Sequence, residues 1–324
     1  MQYDVTIIDV GDADAIVINY EDGNGWKTVV VDAGNIGDGF KVKKYIKHRE
    51  GVFYVIDFAY CTHPDKDHKG GFFDLISDRF VRIGALVIRR PDDALRNDPR
   101  SSRIILSSAH DAYNHPTDER RNLIDEAEAK GVLYEPVLGV DLVDIPLKVI
   151  GPRPQFFVDA CYEMAVTFAE LKDDVISETY AEDELPSDED AQSVMDEEKE
   201  TSPTNKSSMI LLFHPNNRNF LLAGDACSAT IHDAFNDYPQ ELSGCTLKVP
   251  HHGSKHNMTT EVINLLSPTN AVISCKGTKK HPNPAVVHFL SKHCNVYSTH
   301  KSGTLVYQSA PVINPATALR EKQK

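Results

Sequence analysis

The chain has 324 residues, 41% of them hydrophobic and 25% charged, enough for one large core or two halves that share one. Its net charge of −14 would exclude a nucleic-acid partner, but residues 173–200 hold 13 acids against Lys199 alone, so the remainder is nearly neutral. No apolar run reaches ~18 residues, which excludes a transmembrane helix, and the start Met-Gln-Tyr-Asp-Val lacks the basic and apolar regions of a signal peptide.

In chain order, 5–8, 15–19 and 28–31 read as strands, the last two joined through the turn Glu21-Asp22-Gly23-Asn24-Gly25. A short basic helix is expected over 40–48 and a buried strand over 54–60. Residues 117–130 form a helix with Leu123, Ile124 and Ala127 on its apolar face and Gly131 as its stop. Residues 158–171 are helical as well. From 173 to 205 the chain is acidic and rich in Ser, Pro and Thr, so it reads as a mobile insertion. Strands return at 209–213, 220–222, 247–249, 271–274, 295–298 and 305–307, with helices near 228–236, 259–266 and 284–292. The whole of 1–324 reads as one domain, with 311–324 as a flexible tail. Six scattered cysteines without a CxxC pair exclude a zinc finger or a disulfide framework and point to a reducing, cytoplasmic setting. A faint internal repeat links Ala15-Ile-Val-Ile, a turn and Val-Val-Val-Asp-Ala-Gly to Met209-Ile-Leu-Leu, a turn and Phe-Leu-Leu-Ala-Gly-Asp. Two such β-rich halves with interspersed helices predict an α/β sandwich of two sheets with helices on the outer faces.

Chemistry concentrates in residues 62–71, Thr-His-Pro-Asp-Lys-Asp-His-Lys-Gly-Gly. His63, Asp65, Asp67 and His68 follow the 54–60 strand, and the two glycines behind them let the chain turn into a helix. Histidine and aspartate suit divalent cations, and four of them in one loop can feed two adjacent ions. Leu221-Leu-Ala-Gly224-Asp225 adds a carboxylate at a strand end, beside a glycine that permits close backbone approach. In Val249-Pro-His251-His252-Gly253-Ser254-Lys255-His256 the adjacent imidazoles point in different directions, so one can bind metal while the other meets substrate. Lys280-His281-Pro282 supplies one more histidine.

In their order these motifs resemble the metallo-β-lactamase superfamily, and within it the C-terminal hydrolase domain of the competence protein ComEC. That branch has His-x-Asp-x-Asp-His where most of the superfamily has His-x-His-x-Asp-His. The stretch Ile8-Asp-Val-Gly-Asp-Ala-Asp14-Ala-Ile is similar to its "dVGqGDaili", Asp32-Ala-Gly to "iDaG", Asn205-Lys-Ser-Ser208 to "NxxS", and Ala223-Gly-Asp225 to "tGD". Lys248-Val-Pro-His-His-Gly-Ser254 is similar to "kvpHHGS", His281-Pro282 to "HP" and Gly303-Thr-Leu to "GtI". The resemblance covers roughly residues 3–310 and implies an αββα sandwich. It implies that His63 and Asp65 hold a first metal, that Asp67 and His68 hold a second together with His281, and that Asp225 bridges them. Asn205 stands where much of the superfamily has a further histidine, so the first site is either weaker or completed by His251 or His252. We take His251 as the ligand, although the resemblance does not fix which of the pair it is. Ala13 departs from the usual Gly-Asp pair, and the acidic insertion is atypical.

Such a site, with two divalent ions (zinc or manganese), suits phosphodiester hydrolysis. Ions ~3.5–4 Å apart clamp both oxygens of an in-line displacement and lower the pKa of water toward ~7. Asp65 in place of a histidine hardens the site toward manganese. Asp67 belongs to the catalytic centre, and His252, Ser254 and Lys255 are expected to contact a phosphate oxygen or to protonate the leaving group. Arg82, Arg89, Arg90, Arg96, Arg100 and Arg103, with Arg120, Arg121, Lys276, Lys279 and Lys280, form an expected basic lip for a nucleic-acid backbone. The reading is therefore a metal-dependent nuclease acting on DNA, single-stranded DNA included. Its alternatives are a hydrolase of a small ester, nucleotide or lactam, or a regulatory scaffold with a degraded site. No membrane partner is expected; the acidic segment 173–200 offers a docking site for a basic protein.

Overall fold

The computed structural model describes residues 2–21, 23–49, 51–114, 122–142, 145–170, 187–197, 201–216, 218–278 and 281–309. The tail 311–324 and much of the acidic segment lie outside them. Strands β1 (Tyr3–Ile7), β2 (Ala15–Glu21), β3 (Trp26–Ala33), β4 (Tyr54–Tyr60), β5 (Val81–Val87) and β6 (Leu133–Tyr134) build one sheet. Strands β7 (Asp141–Leu142), β8 (Ile145–Gly151), β9 (Ile210–Phe213), β10 (Phe220–Leu222), β11 (Thr246–Lys248), β12 (Asn270–Ile273) and β13 (Asn295–Ser298) build a second, and β14 (Leu305–Gln308) returns to the edge of the first.

Period-two alternation sets the layers. Val5, Ile7, Ile16, Ile18, Val29 and Val31 of the first sheet meet Leu147, Leu211, Phe213, Phe220 and Leu222 of the second in a shared core. On the outer face of the first sheet, Val17, Val30 and Ala59 pack against Phe72, Leu75 and Ile76 of the helix Lys66–Ser77 and Leu123, Ile124 and Ala127 of the helix Leu123–Ala129. On the far side, Ile210, Leu212, Leu221 and Leu247 pack against the helices Ser228–Asp237, Thr260–Leu266 and Pro284–His293. The result is the expected αββα sandwich.

The two sheets repeat each other strand for strand. In the order β14-β1-β2-β3-β4-β5-β6 the first three pairings are antiparallel and the last three parallel. The order β7-β8-β9-β10-β11-β12-β13 shows the same three and three. The faint sequence repeat is thus a topological one. It matters because loops leaving the carboxyl ends of parallel strands gather at one rim, where open α/β sheets place their ligands.

Several elements differ from expectation. The helix expected over 40–48 spans only Gly39–Lys43. The helix expected over 117–130 spans Leu123–Ala129, capped by the Asn122 side chain, and 115–121 lie outside the described residues. Gly70 and Gly71 do not make a turn; they lie inside the helix Lys66–Ser77, on the face pressed against the turn after β3. A Cβ on Gly71 would sit 2.0 Å from the Ala33 carbonyl oxygen, and one on Gly70 2.4 Å from the Ile36 nitrogen. Gly71→Ala is therefore expected to destabilise the protein by about 3 kcal/mol, the upper range for overpacking, because the obstructing atoms are backbone. Urea unfolding monitored by circular dichroism measures it.

Within the segment expected to be a mobile insertion, Asp188–Asp196 is helical. The composition argument failed there because Ala191 and Met195, one turn apart, are both buried in the outer core. Both ends are also tied down. Asp188 accepts from His288 at 2.8 Å and from Lys292, and Asp196 accepts from the Thr260 amide and hydroxyl at 2.9 and 2.6 Å.

All six cysteines are free, and five are buried. Burial pushes the Cys245 thiol up to about 12 and that of Cys294 up to about 11. At pH 8 a thiol reagent is expected to modify no cysteine but Cys294 in the folded chain and all six in denaturant, as counted by mass spectrometry.

Candidate metal centre

The ligand candidates come from four loops at the shared rim. His63 and Asp65 follow β4, and Asp67 and His68 occupy the first turn of the helix Lys66–Ser77. Asp225 follows β10, His251 and His252 follow β11, and His281 follows β12. The His63 and His68 rings are 4.1 Å apart. Asp225 faces both: its Oδ2 lies 3.7 Å from His63 Nε2 and its Oδ1 3.2 Å from His68 Nε2. Asp65 Oδ2 is 3.6 Å from His63 Nε2 on the more open side. On the other flank, His252 Nε2 is 3.1 Å from Asp67 Oδ2. The His281 ring stands 5.2 Å from that of His251 and 5.8 Å from that of His252.

Three groups of candidate donor atoms fall within 4.8 Å of one another, His63-His68-Asp225, Asp67-His68-His252 and, on the inner side of His68, Asp14-Asp32-His68. The centre can thus take one or two divalent cations. The residues fit such an ion for a physical reason. His63 Nε2 and His68 Nε2 are buried without completing a hydrogen bond, although a buried polar atom normally finds a partner. A cation between these nitrogens and Asp225 supplies one.

The outer partners of each imidazole choose its tautomer. His68 Nδ1 donates to Asp32 Oδ2 at 2.8 Å. The Thr62 hydroxyl donates to that same oxygen and accepts from His63 Nδ1 at 3.1 Å. His252 Nδ1 donates to the Ser274 carbonyl at 2.9 Å. Each arrangement turns Nε2 toward the centre. Asp32 therefore orients two candidate ligands at once, and does so at φ 54°, a conformation costly for a non-glycine residue. Gly224 permits the approach, since a Cβ there would lie 2.7 Å from Thr62 Oγ1. His251 and His252 both have positive φ, 48° and 53°, and this strain splays adjacent rings toward different neighbours.

Without an ion, charge is balanced internally. Burial alone would raise the Asp225 carboxyl, but His68, His251 and His63 outweigh it and hold it well below the usual carboxylate range. Asp67 is held low against burial in the same way, through the hydrogen bond from His252 and the charge of His68. Burial alone would lower His68 and His252; carboxylates win here too. Asp225 and Asp32 raise His68 well above its ordinary value, and Asp67 and Asp14 raise His252.

Not every expected residue arrives. His252, taken as the substrate contact, closes a ligand group with Asp67 and His68. His251, taken as the ligand, is one quarter exposed and its Nε2 lies 3.8 Å from Asp225. Asn205 sets its amide 3.1 Å from His251 Nδ1, so it supports that ring. Ser254 is fully buried, and its hydroxyl accepts from the His256 amide inside the loop. Lys255 lines a neighbouring cavity that does not include the ligand candidates. Three arginines of the expected basic lip are matched locally by carboxylates. Arg90 pairs with Glu128 and Glu135, and Arg100 with Asp98 and Asp159. Arg96 pairs with Asp93, Arg89 packs on Phe157, and Arg82 packs on Phe53. Arg120, Arg121, Lys279 and Lys280 lie outside the described residues. Beside Asp65 and His251 opens a cleft of about 880 Å³, on whose wall Lys206 is the one lysine or arginine among the described residues. Sequence reasoning missed Asp32, Asp14 and Lys248. Each stands in a motif it quoted, and the signal was a charged residue inside an otherwise apolar strand or at its end.

No family model matches the chain. Over 107 residues it is 32% identical to ComE operon protein 3 of Bacillus subtilis (strain 168), a stretch covering 32% of this chain and 14% of that protein. Among solved structures it is similar to Tm1679, described as a metal-dependent hydrolase of the β-lactamase superfamily (11% identity, TM-score 0.47, 94% of this chain and 98% of that one). It is also similar to CmlA, a diiron β-hydroxylase from Streptomyces venezuelae (12% identity, TM-score 0.47, 94% of this chain and 54% of that one). At those identities and scores neither likeness speaks to substrate or chemistry. Among the described residues, no helix is long and apolar enough to cross a membrane.

Proposed function

We propose that the chain is a metal-dependent hydrolase that cleaves phosphodiester bonds, with DNA as its substrate. The observation that carries this reading is the convergence of His63, His68 and Asp225 on one buried point and of Asp67, His68 and His252 on a second, with two imidazole nitrogens there lacking hydrogen bonds. Two divalent ions, when bound, supply Lewis-acid polarisation of a phosphoryl oxygen and acidify water toward neutral pKa. The chain's own residues do the rest. Asp225 faces both histidines of the first loop, and Asp65, more open, completes the first position with His63. Asp67, His68 and His252 form the second, with His281 behind the histidine pair. His251, open to the cleft and braced by Asn205 and Asn257, is placed to hold or pass a proton at the leaving oxygen. Three carboxylates favour a hard ion such as manganese. The resemblance to the competence-protein hydrolase domain points to DNA.

The local pairing of Arg90, Arg96 and Arg100, and a cleft with one lysine on its wall, favour a second reading in which the substrate is a small phosphodiester or ester. Manganese and zinc titrations against labelled single-stranded DNA, bis(p-nitrophenyl) phosphate and a lactam decide between them. Metal-dependent cleavage of DNA and the small diester supports the first reading, and turnover of the small diester alone supports the second. No turnover with any ion would end both.

A further inference from the structure

Behind the metal centre lies a buried ion pair that joins the two sheets. Asp14, just ahead of β2 in the first sheet, places Oδ2 2.8 Å from Lys248 Nζ at the end of β11 in the second. Both side chains are almost wholly buried. We propose that Asp14 and Lys248 form an inter-sheet bolt that positions His252 against Asp67, and so sets the geometry of the cation position formed by Asp67, His68 and His252; the inference rests on the metal centre proposed above.

Four contacts carry the argument. The Asp14 amide donates to the Asp67 carbonyl at 3.1 Å, so the residue grips the backbone of the first ligand loop. Its own carbonyl accepts from Gly34 at 2.7 Å, which ties it to the turn that follows Asp32. Its carboxylate reaches across the seam to Lys248, which also donates to the Val249 carbonyl, three residues ahead of His252. Finally, Asp14 Oδ1 is buried, makes no hydrogen bond, and lies 3.7 Å from His252 Nδ1, the nitrogen that donates to Ser274. One residue thus touches both loops that must meet at this position and turns a fixed negative charge toward the imidazole that joins them. Outer carboxylates of this kind orient a ligating histidine and raise its basicity. Apolar packing would close the seam equally well, and a buried ion pair is weak evidence of stability in itself. What the pair adds over such packing is direction.

That contrast supplies the test. Asp14→Asn and the paired replacement Asp14→Leu with Lys248→Met are compared with the parent chain for manganese and zinc binding by calorimetry, and for melting temperature in chelator. The expected result is two binding steps in the parent chain, with one of them weakened about 10–100-fold in both variants, the usual effect of removing an outer partner of a ligand. The other step stays unchanged, and the double variant melts in chelator within a few degrees of the parent. A double variant that binds both ions with parental affinity would show the pair to be packing and overturn the inference alone. Equal weakening of both steps, accompanied by a collapse of the chelated fold, would overturn it as well. A parent chain that binds no ion would overturn the reading of the metal centre and this inference with it.

Discussion

Asp225→Asn is expected to lower metal-dependent turnover by at least about 10³-fold, roughly 4 kcal/mol of transition-state stabilisation. Asp225 is the one carboxylate that faces both His63 and His68, and no other side chain in the described centre offers an oxygen to both nitrogens. Asparagine keeps the shape and can still accept the His251 amide, which reaches Oδ1 at 3.2 Å. The loop should therefore hold while the charge is lost. The same substitution should weaken the His63-His68-Asp225 position, so metal binding and turnover fall together. A variant with intact circular dichroism, parental turnover and parental metal content would show that Asp225 serves only the loop.

Metal removal should have the second large effect, and its size should depend on pH. At an ion concentration 100-fold above the dissociation constant, binding to the folded state alone contributes about 2.7 kcal/mol. For a chain of this length that is roughly 5 °C in melting temperature. The sign of the pH dependence follows from the metal-free charges. Asp225 is held below its unfolded value, so its contribution is present above the ordinary carboxylate range and is lost as pH falls through its depressed pKa. His68 is held above its unfolded value, so its contribution is full below the ordinary imidazole pKa and is lost as pH rises through the raised one. Metal-free protein should thus be most stable between about pH 4 and 6.5. Ligation needs neutral imidazoles, so affinity rises with pH and protons are released on binding. Scanning calorimetry with and without chelator from pH 5 to 8 measures this. The gap between the curves should widen as pH rises, and a gap that narrows would mean that His68 and His252 are not ligands.

The parts of this molecule that sequence made legible share a cause. Strands such as 28–31 and 220–222 carry unbroken β-branched or large apolar residues bounded by Gly and Asp, and the ligand residues sit in dense motifs directly after them. What sequence hid depends on contacts made at a distance. β5 turns Arg82 and Gly84 to solvent in its first half, and it is held by pairing with β4. The helix Asp188–Asp196 has an acidic composition that suits an unstructured chain, and burial of Ala191 and Met195 together with docking against His288, Lys292 and Thr260 explains it. Arg90 and Arg100 looked like part of a nucleic-acid surface because their carboxylate partners Glu128, Glu135 and Asp159 lie far along the chain. In the centre itself, His63, Asp65, Asp67, His68, Asp225, His251, His252 and His281 gather as a set. The choice between His251 and His252, and the parts played by Asp32, Asp14 and Lys248, rest on ring orientation and burial, which spacing does not encode.

Metal stoichiometry addresses the central claim most directly. The chain is stripped with chelator, reloaded separately with manganese and with zinc, freed of excess ion, and analysed for metal per protein by plasma mass spectrometry. Two ions per parent chain, falling to one or none in Asp225→Asn, is the predicted outcome. A parent chain that retains no ion, or a content indifferent to Asp225, would contradict the account.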